Sequence, residues 1–322
     1  MNTRVCIYGT GAIGGFLAAR LAHAGKKVSC VARGDQLEAI RSQGLRLIEP
    51  DHEIDVETPC SDNPDELGVQ DIVIVTLKAH ALADNVDGIA SLLGPNSVIV
   101  TAQNGLPWWY FYRDASPLEG RWLESVDPGG QLWKRLGPER AIGAIVYPAA
   151  AVVAPGVIRH VHGENFTLGE PGGGRSDRIV AASELLSDAG LQVSITDDIR
   201  AEIWLKLAVN AAINPLSVIE NSTITEIIDD SSSREQLAKM IGEAQSVAAS
   251  VGVAPMMSVE ELIDAMRGID GHKTSMLIDY ESDRPMELDA LTGAILEIAS
   301  QTGAATPYLS AIFDEISQRL RA

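Results

Sequence analysis

VCIYGTGAIGGFLAARLAHAG, residues 5 to 25, is the stretch that decides the fold. Val5 to Tyr8 form a short apolar run of strand type, glycines follow at 9, 11 and 14, and the next residues place apolar side chains at helical intervals. At a strand-to-helix turn of this kind, Gly9 makes the tight bend, Gly11 lets a pyrophosphate approach the backbone, and Gly14 lets helix and strand pack closely. The loop Gly9-Thr10-Gly11-Ala12-Ile13-Gly14 therefore reads as a dinucleotide site, with the helix N-terminus offering N–H groups and the positive end of its dipole. A purely structural glycine turn is the competing reading.

Downstream, Val28 to Val31, Ile72 to Thr76, Val98 to Thr101 and Ala141 to Val146 are further Val- and Ile-rich runs, mostly separated by helix-like segments. This alternation predicts an α/β fold, a parallel sheet covered on both faces. Residues 147 to 170 hold short strand signals around Pro-Gly and His-Gly turns and are expected to add antiparallel strands to that sheet. After Val193 to Thr196 the pattern changes to long helical periods. The expected organisation is a Rossmann-type dinucleotide-binding domain over 1–196 and an all-helical catalytic domain over 197–322. Four of the five tryptophans fall in 107–135, an aromatic-rich insertion expected to form a satellite core packed on the first domain.

At the end of the second strand an NAD site usually carries an acid for the ribose hydroxyls. VARGD instead offers Arg33, with Asp35 two residues later. A guanidinium suits a 2'-phosphate, so NADP(H) is preferred over NAD(H). Lys78 after DIVIVTL and Asn104 in TAQNG also follow apolar strands, where ligands of open α/β sheets bind. Alone, Lys78 is an ordinary surface cation and Asn104-Gly105 an ordinary turn.

In the helical half, KLAVNAAINP (206–215) sets Lys206, Asn210 and Asn214 four residues apart among Leu, Ala, Val and Ile. That spacing forms one polar stripe on a helix, expected to line a substrate cleft. The alternative is a snorkelling lysine on a helix that ends at Asn214, before Pro215. In HKTSMLIDYESDRPMELDALTG, Ser275 and Asp279 share a helix face, and Pro285 precedes Glu287 at a new helix start. Each of these has a bland reading as a cap, a packing hydroxyl or a first-turn acid.

Taken together, GTGAIGG, VARG at 31–34, TLKA at 76–79, QNG at 103–105, IWLKLAVNAAINPL at 203–216 and the HKTSM to MELD block resemble the ketopantoate reductase (2-dehydropantoate 2-reductase) family over nearly the whole chain. The resemblance implies NADPH-dependent reduction of ketopantoate to (R)-pantoate in pantothenate biosynthesis. It implies Lys206 as general acid and Glu287 as the acceptor of a substrate hydroxyl. Asn210 and Asn214 would shape the substrate pocket, Asn104 and Ser275 would contact the ligand around its carboxylate, and Arg33 and Lys78 would hold the cofactor. Two departures stand out: Ala81 replaces a residue that is often polar in the family, and the 107–135 segment is longer than the usual connection. The second invites an alternative substrate, another small branched 2-oxo acid.

The whole-chain properties constrain the remaining classes. A net charge of −19 and a pI near 4.6 argue against nucleic acid and anionic membranes as partners. With no apolar run long enough to span a bilayer and no basic-then-apolar leader before Val5, a cytoplasmic location is expected. Cys6, Cys30 and Cys60, without a CxxC pair, read as reduced structural thiols. His160-x-His162 lacks further ligand spacing and reads as exposed strand histidines, so no metal is expected. A non-catalytic NADP-binding sensor is the rival from another class, and the long helical half is compatible with a homodimer.

Overall fold

The computed structural model describes residues 3–267 and 271–320. Contacts divide the chain into two compact units, Met1–Gln103 with Gly130–Ile199, and Asn104–Gly129 with Arg200–Ala322.

The first unit holds the strands β1 (Arg4–Tyr8), β2 (Lys27–Val31), β3 (Leu45–Ile48), β4 (Glu53–Val56), β5 (Cys60–Ser61), β6 (Gln70–Val75), β7 (Leu93–Thr101), β8 (Ala141–Val146), β9 (Ala149–Ala154), β10 (Val157–His162), β11 (Asn165–Gly169) and β12 (Gln192–Thr196). Eight of them form one sheet in the order β12-β11-β8-β7-β6-β1-β2-β5. The centre from β5 to β8 is parallel, and the chain reverses only where β11 runs antiparallel to β8. Central strands such as Val5–Tyr8 and Ile72–Val75 are buried on both faces, which explains why they read as unbroken apolar runs. The order doubles back around β1, so the carboxyl ends of β1 and β6 open at a switch point.

Residues 147–170 divide between two sheets. β11 does join the main sheet antiparallel, as expected, but β9 and β10 leave it for a second sheet ordered β4-β3-β10-β9. There β10 pairs parallel with β3 and antiparallel with β9. The second sheet lies against the glycine-led helix Ala12–His23, and a Cβ on Gly15 would come within 2.6 Å of the Ile158 side chain. His160 corrects the reading of two exposed histidines. It is buried, with Nδ1 2.5 Å from Glu49 Oε2, while His162 is exposed.

In the second unit the regular structure of the described residues 200–320 is helical, led by the helix Ile199–Glu220, with Ser231–Ser250, Ala294–Thr302 and Pro307–Arg319 among the others. The aromatic stretch up to residue 129 groups with these helices, which corrects the expectation that the 107–135 insertion packs on the first domain. Long-range side-chain bonds explain the grouping. Trp204 donates from Nε1 to the Tyr110 hydroxyl at 2.6 Å, and Arg200 donates to the carbonyls of Tyr110 and Tyr112. Glu297 accepts from the backbone N–H groups of Glu124 and Ser125. Trp109, Tyr110 and Phe111 are almost fully buried. None of the described helices is long and apolar enough to cross a membrane.

Candidate functional site

Chemistry-bearing residues collect at one place in each unit. In the first, the turn after β1 is held by backbone geometry. Gly9 sits at φ +103°, and Gly9 and Thr10 both donate N–H to Val31 O at 3.1 Å. The Thr10 hydroxyl donates to the same carbonyl, and Thr76 Oγ1 donates to Gly9 O at 2.6 Å. The glycines divide the work by distance. A Cβ on Gly14 would lie 2.1 Å from Gly9 O, so helix and strand could not pack, whereas a Cβ on Gly11 would meet nothing within 4 Å. Gly11 therefore opens onto free space.

The helix Ala12–His23 begins there with no side-chain cap and no acid in its first turn, which leaves its positive end available to an anion. Arg33 is exposed just past β2 and close enough to Tyr8 for its charge to act on that phenol. Lys78 is half-buried past the end of β6. Gln36, which the sequence did not single out, donates to Thr10 O and accepts from Gly156 N, tying the glycine loop to the β9–β10 turn.

The second unit assembles Lys206, Asn104 and Glu287. Helix Ile199–Glu220 continues past Pro215, so the alternative in which it stops at Asn214 does not hold. Lys206 is half-buried on this helix, and its Nζ donates to Asn104 Oδ1 at 3.0 Å. Withdrawal from water pulls the Lys206 ammonium pKa down to about 8, and the nearby Glu287 carboxylate pulls the other way. An amine at that value holds a proton near neutrality yet parts with it readily.

Asn210 and Asn214 follow one and two turns along the same helix, Asn210 half-buried and Asn214 buried. Ser275 opens the helix Ser275–Glu281 and is exposed. The preceding Thr274 caps that helix and shares a 2.6 Å hydrogen bond with Ser217, which fixes the start of the Ser275 helix to the Lys206 helix. Asp279, one turn after Ser275, is buried and paired with Arg284. Glu287 stands immediately before the next helix, its carbonyl accepting from Leu291 N. Among the described residues no group of His, Cys, Asp and Glu side chains is arranged to hold a metal ion.

Comparison with known families gives two matches that cover most of the chain: "Ketopantoate reductase PanE/ApbA" over residues 5–173 and "Ketopantoate reductase PanE/ApbA C terminal" over residues 198–319. The chain belongs to the ketopantoate reductase family. Members of this family are oxidoreductases acting on CH–OH and C=O groups. A 2-dehydropantoate 2-reductase of Mesorhizobium japonicum is 48% identical over 310 residues, 96% of this chain and 95% of the relative. A Ralstonia solanacearum MolK2 protein assigned as a ketopantoate reductase superposes with a TM-score of 0.95 at 37% identity, covering 100% of this chain and 98% of that one. The 2-dehydropantoate 2-reductase of Geobacter metallireducens does so with a TM-score of 0.86 at 26% identity, covering 98% and 99%.

What sequence reading missed in the second unit is the support beneath these side chains. The Thr274–Ser217 pair carried no signal beyond two ordinary hydroxyls. Gly105 did carry one: it sits at φ +86°, and a Cβ there would lie 2.5 Å from Ala290 O.

Proposed function

We propose that the protein reduces ketopantoate to (R)-pantoate with NADPH, using Lys206 as the proton donor. The observation that carries this reading is the half-buried Lys206 ammonium, held 3.0 Å from Asn104 Oδ1, with its pKa brought down to about 8. The first unit fits a dinucleotide. It offers an open backbone at Gly11, an uncapped and acid-free helix N-terminus, and the cations Arg33 and Lys78. In a chain of net charge −19 these local positive groups are what an anionic cofactor needs. Arg33 supports NADPH over NADH, because a guanidinium at the ribose position gains two charge-assisted hydrogen bonds from a 2'-phosphate.

When bound, the nicotinamide supplies the hydride that adds to C2 of the oxo acid. The electron pair of the C=O π bond then moves to oxygen, and Lys206 Nζ transfers a proton to it, leaving an alcohol and a neutral amine. Asn104 aims the ammonium through its side-chain carbonyl, and Glu287 keeps a compensating negative charge near Lys206 and accepts from a substrate hydroxyl. Asn210, Asn214 and Ser275 supply neutral donors for the substrate, adding no charge beside a carboxylate. General acid catalysis of this type contributes about 10²- to 10⁴-fold.

Initial rates with NADPH and NADH on ketopantoate and several other 2-oxo acids, beside Lys206→Ala, test the reading. Fast NADPH turnover of ketopantoate, lost in the variant, supports it. Turnover confined to a different branched 2-oxo acid keeps the mechanism and moves the specificity. That second reading is favoured by one observation, the aromatic segment bonded through Tyr110 to Trp204, on the same helix as Lys206. Tight NADPH binding without turnover of any oxo acid defeats both in favour of a cofactor sensor.

A further inference from the structure

The helix that carries Lys206, Asn210 and Asn214 has a defect in its middle. Pro215 has no N–H, so the carbonyl of Ala211, four residues earlier, loses its helical donor at a fully buried position. An unmet acceptor there costs about 1–3 kcal/mol. The donor comes from a different element: Thr292 Oγ1, itself fully buried, donates to Ala211 O at 2.9 Å.

Thr292 lies in a π-helical turn, Asp289–Gly293, separated from Glu287 by Leu288 alone. Within this turn Ala294 N bonds to Asp289 O, the wide spacing of a π-turn. The same turn holds a third element. Ala290 O accepts from Leu106 N at 2.9 Å, and only glycine at 105 leaves room for that approach. One turn thus touches the segment bearing Asn104, the helix bearing Lys206 and the start of the helix preceded by Glu287. π-turns are rare, appear mostly as single turns within α-helices, and are frequent at functional sites.

We propose that the turn Asp289–Gly293 is the junction that sets the mutual placing of Lys206, Asn104 and Glu287, and that Thr292 is a positioning residue for proton transfer. Its hydroxyl repairs the Pro215 break and in doing so fixes the register between the Lys206 helix and Glu287. The proposal rests on the reductase reading for its kinetic consequence but not for its electrostatic one.

The test compares Thr292→Val, which keeps the shape and removes the hydroxyl, with Thr292→Ser, which keeps the hydroxyl. Each is made alone and over Pro215→Ala, where residue 215 regains an N–H for Ala211 O. Three quantities are read: kcat and KM against pH with NADPH and the preferred oxo acid, the melting temperature, and Lys206 titration by pH-dependent acetylation and mass spectrometry. Thr292→Val is expected to lower kcat about ten- to a hundredfold with KM for NADPH unchanged. It also moves the alkaline limb and the Lys206 titration to lower pH, since Glu287 no longer holds its place. Thr292→Ser restores most of both, and over Pro215→Ala the valine costs less.

A folded Thr292→Val with wild-type kcat and Lys206 titration overturns the proposal, as does a valine penalty that is the same with and without Pro215. If the single valine variant does not fold, the Pro215→Ala background and the serine variant decide by the same criteria. If the wild type turns over no oxo acid, the reductase reading has failed, and the acetylation profile alone still decides whether Thr292 positions Lys206.

Discussion

The glycine turn and the Lys206 cluster are built in opposite ways. The first takes its shape from the backbone of six consecutive residues, tied down by Val31 O and the Thr76 hydroxyl, and its key contact is a missing side chain: Gly14 must be absent beyond Cα because Gly9 O would stand 2.1 Å away. The second is made by side chains that meet from far apart, with Lys206 and Asn104 separated by 102 residues. A site made of backbone is stiff and tolerates no added atoms. A site made of side chains is tunable, and its chemistry depends on burial and charge that one substitution can alter. The two therefore differ in how they break.

The largest effect is expected on the side-chain site. Lys206→Met keeps the length and removes the ammonium, and it should lower kcat by about 10²- to 10⁴-fold while leaving NADPH affinity within a few-fold. Stopped-flow turnover and fluorescence titration of NADPH read the two quantities separately. In the wild type, activity should be level below pH 8 and fall above it as Lys206 loses its proton. A rate that rises through that range would rule out Lys206 as the proton donor in the reductive direction.

Next in size is the backbone site. Gly14→Ala drives a Cβ into Gly9 O and Thr76 Oγ1, neither of which can yield without undoing the turn. The expected outcome is loss of NADPH binding by more than about tenfold and a lower melting temperature, since overpacking costs roughly 1–3 kcal/mol. Gly11→Ala meets no protein atom, so it should leave melting unchanged and weaken only the cofactor. Equal melting penalties at the two positions would contradict the division of labour between these glycines.

Arg33→Ala should be milder in scope, sparing both the melting temperature and NADH. Removing charge-assisted bonds to a 2'-phosphate is expected to raise KM for NADPH by about 10- to 100-fold and leave KM for NADH nearly unchanged. An equal loss for both cofactors would assign Arg33 to the shared part of the ligand.

The same contrast explains how much was legible. Strands β1 and β6 announce themselves because both faces are buried, and the glycine loop because its signal is contiguous. β3 and β4 alternate buried and exposed residues over only four positions each, and β3 pairs in parallel with the distant β10, so nothing local marks a second sheet. Pro215 looked like a helix end because the donor that replaces its missing N–H is Thr292, 81 residues after the Ala211 carbonyl it serves. The aromatic segment was visible in the sequence, but the side it packs on was set by Trp204 and Arg200, which meet it about 90 residues later in the chain. Lys206, Asn104 and Glu287 were each visible as residue types, while the lowered pKa of Lys206 comes from its withdrawal from water in the folded chain, against the pull of Glu287, and no residue type announces that.

The smallest expected effect runs against the largest one. Lys206 is charged in the unfolded chain up to its ordinary value of 10.5, and in the folded protein only up to about 8. Below pH 8 both states are protonated, and folding carries the full cost of withdrawing the ammonium from water. Between pH 8 and 10.5 the folded protein sheds the proton that the unfolded chain keeps, so stability from this group rises with pH. Lys206→Met should therefore be more stable than wild type at pH 7, on the order of 1–3 kcal/mol, with the difference shrinking toward pH 10.5. Denaturant melts of both proteins at pH 7 and pH 10 measure it. A variant that is inactive and less stable at pH 7 would mean that the bond to Asn104 outweighs desolvation, and that the lysine is held for structure as well as for chemistry.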